Sequence, residues 1–115
     1  MIKHLLRDRR VLALLTLTVF VVAVSSVSAL ASSPRTVKVH DDYFGTKNLT
    51  VGRGTAVTWN WVGVLRHNVV VRSGPAGFRS RTQVRGSFSH VFTRRGTYHL
   101  YCTLHTFMKM TVVVR

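Results

Sequence analysis

From residue 36 to residue 115 the sequence never sustains a helical period. It breaks instead into short runs in which apolar and polar residues alternate. "TVKVH" (36–40) sets Val37 and Val39 against Thr36, Lys38 and His40, and "NLTV" (48–51) is closed by "GRG" at 52–54. "AVTWNW" (56–61) puts Val57, Trp59 and Trp61 on one face and Thr58 and Asn60 on the other. "NVVVR" (68–72) runs into the turn cluster "SGPAG" (73–77), and "SFSHVF" (87–92), "TYHLYC" (97–102) and "MTVVVR" (110–115) complete the series. Period-two alternation, β-branched and aromatic enrichment and closely spaced turn residues mark half-buried strands. Seven to eight such strands in one small unit predict an all-β sandwich or barrel.

The first 31 residues belong to a different class. A basic stretch (Lys3, Arg7, Arg9, Arg10) is followed by an apolar run from Val11 to Val24 and then by small residues ending in Ala29-Leu30-Ala31. That order is the n-region, h-region and Ala-x-Ala cleavage site of a secretory signal peptide, expected to be an N-terminal signal helix. The alternative is an uncleaved membrane anchor over 11–31, which Ser25, Ser26 and Ser28 weaken. The expected organisation is a signal at 1–31, a short leader at 32–35 and one domain at 36–115. The destination is extracytoplasmic: periplasmic, secreted or the outer face of the cytoplasmic membrane.

Cleavage after Ala31 leaves 84 residues with a single cysteine, Cys102. Domains this small are often stapled by disulfides or a metal. One thiol cannot form an internal disulfide; it is buried and inert, paired with another molecule, or ligated, and ligation would supply the missing staple. The charge is lopsided as well. Four of the 17 Lys and Arg lie in the first ten residues, and only Asp41 and Asp42 follow, so 13 cations against two carboxylates leave residues 32–115 at +11. Such a field steers encounter with acidic partners. The basic residues are scattered singly rather than set along one helix or an aromatic platform, and export argues against nucleic acid as the partner.

The chemistry concentrates in "YCTLHTFMKM" (101–110), where Cys102 is followed by His105, Met108 and Met110. A cysteine nucleophile needs a histidine base and an orienting group. The two carboxylates here sit side by side early in the domain, and neither a glycine-rich phosphate loop nor a Gly-x-Ser-x-Gly is present. Zinc more often asks for paired cysteines. A thiolate with two imidazoles and a weak axial methionine is the ligand set of a blue-copper centre. The second imidazole must come from another strand, and His67, at the head of the apolar "HNVVV" (67–71), is placed to supply it. Either methionine fits the axial position on this reading alone.

Taken together, His67-Asn-Val-Val, then Gly96-x-Tyr98, Tyr101-Cys102-Thr103-x-His105 and Met resemble the cupredoxin family, in particular its plastocyanin and amicyanin branch. "LTV" (49–51), "VTW" (57–59) and Asp41-x-x-Phe44 extend the resemblance over 36–115. It implies a Greek-key β-sandwich that holds one type 1 copper ion at one end, with His67, Cys102 and His105 as equatorial ligands. Plastocyanins place the axial methionine five residues after the second histidine, which would be Met110. Amicyanins use the shorter Cys-Thr-Pro-His-Pro-Phe-Met loop, which Cys102 to Met108 matches, so the resemblance implies Met108 as axial ligand and Met110 as a packing residue. It also implies a hydrogen bond from Asn68 across to Thr103 and an electron-transfer surface at Leu104 and Phe107 around His105, with Tyr101 as a second route. Leu104 and Thr106 stand where the family carries prolines, and the stretch from Trp61 to Leu65 matches no family pattern.

The function so implied is that of a one-electron carrier, not an enzyme, since four protein ligands leave copper no open position for substrate. A redox protein with an acidic docking surface is the expected partner of a monomeric chain, and the membrane is a partner only if the signal stays attached. The alternative is an exported protein that buffers or delivers copper without redox turnover. His40, His90 and His99 are read as solvent-facing strand residues.

Overall fold

The computed structural model describes residues 17–23 and 32–115. The signal helix and cleavage site expected at 1–31 lie outside the described residues, apart from 17–23, which are exposed and form no helix. Among the described residues no helix is long and apolar enough to cross a membrane.

Seven strands build the domain: β1 (Arg35–Val39), β2 (Asn48–Val51), β3 (Thr55–Trp61), β4 (Val70–Ser73), β5 (Ser87–Phe92), β6 (Gly96–Tyr101) and β7 (Lys109–Val114). They form a three-stranded sheet in the order β1-β3-β5 and a four-stranded sheet in the order β2-β7-β6-β4. β1 runs parallel to β3 and β2 parallel to β7, and the remaining pairs are antiparallel. Every connection except the β6–β7 hairpin crosses from one sheet to the other. The result is a β-sandwich of the kind the resemblance implied, in which consecutive strands, β6 and β7 aside, lie in opposite layers.

Alternation fixes which side of each strand faces inward. Val37 and Val39 of β1, Val57, Trp59 and Trp61 of β3 and Phe92 of β5 meet Leu49 and Val51 of β2, Tyr98 and Leu100 of β6 and Met110, Val112 and Val114 of β7. Each such side chain removed from water contributes about 1.5–3 kcal/mol, and a slip of one residue in any strand would turn its whole apolar set outward. Trp59 is the centre of this core. Its ring lies 5.9 Å from those of Phe78 and Phe88, and its indole N–H donates to Met110 Sδ at 3.3 Å, joining the two layers.

The run expected as a strand over 68–72 differs from its pattern: pairing with β6 begins only at Val70, with an irregularity before Ser73. The reason is that His67–Val69 spends its backbone groups elsewhere. His67 N–H and C=O both bond Gln83 at 3.0 Å, and Val69 C=O accepts from Ser80 N–H at 2.8 Å. A segment around 79–83 therefore edges this stretch where a regular strand would have stood. His90 also departs from expectation. It shares the inward side of β5 with Phe88 and Phe92, is half-buried, and stacks on Phe78 at 3.8 Å. His99 is exposed as expected, and His40 is half-buried against Tyr43.

Candidate metal centre

The loops that follow β3 and β6 meet at one pole of the sandwich. β3 ends at Trp61, whose indole N–H donates to the His67 carbonyl at 3.2 Å. That bond and the two backbone bonds to Gln83 hold His67 fully buried with its ring fixed. The intervening loop is drawn in by Asp41, whose Oδ1 accepts from Val64 N–H and Leu65 N–H at 2.9 Å each and lies 3.4 Å from His67 Nε2. Position 63 must be glycine for this: a Cβ there would collide with the Asp41 carboxylate. The Leu65 amide is the largest influence on the Asp41 carboxyl; the cost of burial opposes it, and the Val64 amide and the His67 ring add to the lowering, so the carboxyl stays below its ordinary value. A carboxylate beside Nε2 favours the tautomer that carries its proton there, which leaves the Nδ1 lone pair free.

Nδ1 is the atom that faces the other loop. Cys102 Sγ lies 3.9 Å and His105 Nδ1 3.1 Å from His67 Nδ1. The three donor atoms all fall within 4.8 Å of one another. Met108 closes the loop on itself, its N–H donating to the His105 carbonyl at 2.8 Å and its carbonyl accepting from Cys102 N–H at 3.1 Å. Metal–nitrogen and metal–sulfur bonds of roughly 2.0–2.3 Å let a single ion bridge donors at such separations with a small closure. One thiolate and two imidazoles, gathered in a largely buried pocket, are the donors that suit copper. The residues present therefore fit a type 1 copper ion.

The two methionines are used differently. Met110 is the second residue of β7, paired with Leu100, and its sulfur is engaged by Trp59 inside the core. Met108 sits just before β7, 1% exposed, at the end of the loop that carries Cys102 and His105.

Around these residues the loops are tied to each other. Asn68 is buried; its Nδ2 donates to Thr103 Oγ1 at 2.8 Å and to Thr82 Oγ1 at 3.1 Å, while its Oδ1 accepts from Thr103 N–H at 2.9 Å. The bond to Thr103 is the one the resemblance implied. Thr82, Gln83 and Asp41 are the parts that sequence reasoning missed. Thr82 and Gln83 carry no signal in a linear reading, whereas Asp41 had one: it is half of the domain's whole supply of carboxylates. Leu104 and Phe107 are exposed at 46% and 67%, and Val62, Val64 and Leu65 of the loop after β3 are exposed as well. The ring of Phe107 is 5.9 Å from that of His105, edge-on. Tyr101 is half-buried under Arg72, whose guanidinium carbon is 5.8 Å from the ring centre.

The chain was compared with known proteins. The family model described as "Copper binding proteins, plastocyanin/azurin family" matches residues 35–115. Amicyanin-alpha of Methylorubrum extorquens is 33% identical over 96 residues, covering 80% of this chain and 81% of that one. Among solved structures, a mutant of amicyanin in its Cu(I) form superposes with a TM-score of 0.65 at 31% identity, covering 71% of this chain and 82% of the other. A Cu-containing nitrite reductase from Thermus scotoductus SA-01 gives a TM-score of 0.67 at 28% identity, but this chain covers only 22% of its length.

Proposed function

This chain belongs to the plastocyanin/azurin family of copper-binding proteins, and from that premise we propose that it carries single electrons at one copper ion held by His67, Cys102, His105 and Met108. The bound ion supplies the chemistry, cycling between Cu(I) and Cu(II). The protein supplies a pocket whose donors are set in advance. Buried His67 is held by Trp61, Gln83 and Asp41, Cys102 and His105 are held by the backbone bonds of Met108, and Asn68 ties the two loops. A pocket so braced asks for little movement when charge changes, which is what a fast carrier needs. His105 is the half-buried member of the set, rimmed by Leu104 and Phe107, and on this reading electrons pass at its edge when an apolar patch of a partner excludes water there.

The observation that carries the proposal is the convergence of a ring nitrogen each from His67 and His105 with Cys102 Sγ, the domain's lone sulfhydryl sulfur, within 4.8 Å. Met108 would be the methionine that holds the ion, because the Met110 sulfur is occupied in the core. Four protein ligands leave copper no vacancy for substrate, in keeping with a carrier rather than an enzyme. The signal read at 1–31 supports an extracytoplasmic location, and the charge of +11 on residues 32–115 supports a redox partner with an acidic face. The test is the visible spectrum of the purified chain after one equivalent of Cu(II). An intense blue colour that ascorbate bleaches and re-oxidation restores is expected. Retention of Cu(I) alone, or a pale complex, would replace electron carriage with copper buffering or delivery.

A further inference from the structure

The outer face of the four-stranded sheet carries a groove with a volume of about 490 Å³, whose lining includes none of His67, Cys102, His105 and Met108. It crosses every strand of that sheet. Asn48 of β2 is paired with Thr111 of β7, Thr111 with His99 of β6, and His99 with Ser73 of β4, and all four line it. Lys47, Arg72 and Lys109 add three cations to the lining, and no carboxylate contributes to it. The only carboxylates in residues 32–115, Asp41 and Asp42, both belong to the β1–β2 loop. Arg72 is steadied over the Tyr101 ring, so part of this positive charge is held in place rather than free to collapse toward solvent.

We propose that this groove docks an extended acidic segment of the redox partner, with successive carboxylates meeting Lys47, Lys109 and Arg72. The proposal rests on the reading of the chain as an electron carrier and says where, and by what chemistry, the partner holds on. Shape decides between anion sources. Three inter-strand steps of about 4.8 Å make the groove roughly 14 Å long, which suits several residues of extended chain and is too long for one free phosphate to bridge. A concave trough also offers little to a flat lipid surface. The Asn48 amide lies along it as a hydrogen-bonding group for a peptide backbone, and Thr111 Oγ1 and His99 Nδ1, 3.4 Å apart and paired with each other, form its polar floor beside it. Docking here leaves the apolar rim at Leu104 and Phe107 open, so the charged hold and the electron-transfer contact are separate surfaces, one for encounter and orientation and one for transfer.

The test uses the full chain loaded with copper and reduced to the diamagnetic Cu(I) form, titrated with hexaglutamate and followed by the shifts of its backbone amides. Shifts concentrated at Lys47, Asn48, His99, Lys109 and Thr111 are expected. Lys47→Glu with Lys109→Glu should weaken binding about tenfold, because each reversal turns an attraction into a repulsion. Arg53→Glu with Arg95→Glu makes the same change of net charge in the turns of the opposite pole and should weaken it far less. Equal weakening by both pairs would mean that only net charge matters and would overturn the proposal. So would shifts centred on Leu104 and Phe107, or inorganic phosphate reproducing the hexaglutamate pattern at the same concentration. The blue colour of the oxidised protein reports separately on the function. Colour without groove binding removes the docking proposal alone, and groove binding without colour removes electron carriage.

Discussion

Replacing Asn68 with alanine removes the tie between the loop that carries His67 and the loop that carries Cys102 and His105. Three hydrogen bonds are lost, two with Thr103 and one with Thr82. At about 0.5–1.5 kcal/mol net for each, the gross loss is roughly 1.5–4.5 kcal/mol. Thr103 is exposed and Thr82 half-buried, so their freed groups recover some hydration and the lower half of that range applies. The expected loss is therefore about 2–3 kcal/mol in the metal-free chain, which for a domain of this size lowers Tm by roughly 10–20 °C. Urea unfolding of metal-free Asn68→Ala with the thiol kept reduced measures it, because the bonds are made entirely by protein groups. Thr103→Val gives an internal scale: it deletes one hydroxyl and keeps the backbone N–H bond, so it should cost about 1 kcal/mol. The reasoning fails if Asn68→Ala costs under about 0.5 kcal/mol, or if Thr103→Val costs as much as Asn68→Ala. Either result would mean that the loops are held together by packing and that the asparagine is incidental.

Met108→Gln should change the colour and reduction potential of the copper-loaded protein, whereas Met110→Leu should leave both in place and cost about 1–3 kcal/mol of stability by leaving the Trp59 N–H buried without its acceptor; the reverse pattern in spectra and urea midpoints would exchange the two roles. Burial holds the pKa of His90 below the usual 6.5, so its folded form resists protonation while the unfolded chain does not. Stability should be full above pH 6.5 and fall as the pH drops from there through the lowered folded value, and His90→Phe, which keeps the stack on Phe78, should flatten that slope in urea midpoints compared at pH 7.5 and 5.0. Asp41→Asn removes a negative charge beside His67 and should raise the reduction potential, since that charge favours Cu(II) over Cu(I); an unchanged or lowered potential in a redox titration would separate Asp41 from the site.

The strands were legible because period two is a direct consequence of a sandwich with one wet face on each sheet, and β2 and β5 fall where the alternation put them, at 48–51 and 87–92. The exception, at His67–Val69, is informative. An apolar run of that kind reads as a strand, yet its backbone is committed to Ser80 and Gln83, residues that alternate with nothing and lie more than ten positions away. Cys102 and His105 were legible for a related reason: they are local in sequence, so their spacing points to one site, whereas spacing alone left Met108 and Met110 open and the resemblance favoured Met108. His67 comes from another strand and has no spacing to read; its place at the head of an apolar run suggested it, and the resemblance implied it as well. The residues that steady it were missed on the same ground. Asp41, Thr82 and Gln83 reach the site from the crossovers between the two sheets, and a crossover leaves no periodic trace.

That division also explains where this chain departs from its relatives without losing the site. The loop bearing Cys102 lacks the prolines expected at positions 104 and 106, so it is less stiff by itself. Its shape is instead imposed from outside and from its ends: Asn68 grips Thr103 from the facing loop, and the backbone of Met108 bonds to both Cys102 and His105. On the other side, the stretch from Trp61 to Leu65 matches no family pattern, but glycine at 63 admits the Asp41 carboxylate, which fastens Val64 and Leu65 and reaches His67. Rigidity that prolines would have supplied within one loop is here distributed over hydrogen bonds between loops. Such bracing depends on both sheets being in register, so loosening the core far from the metal should loosen the site with it.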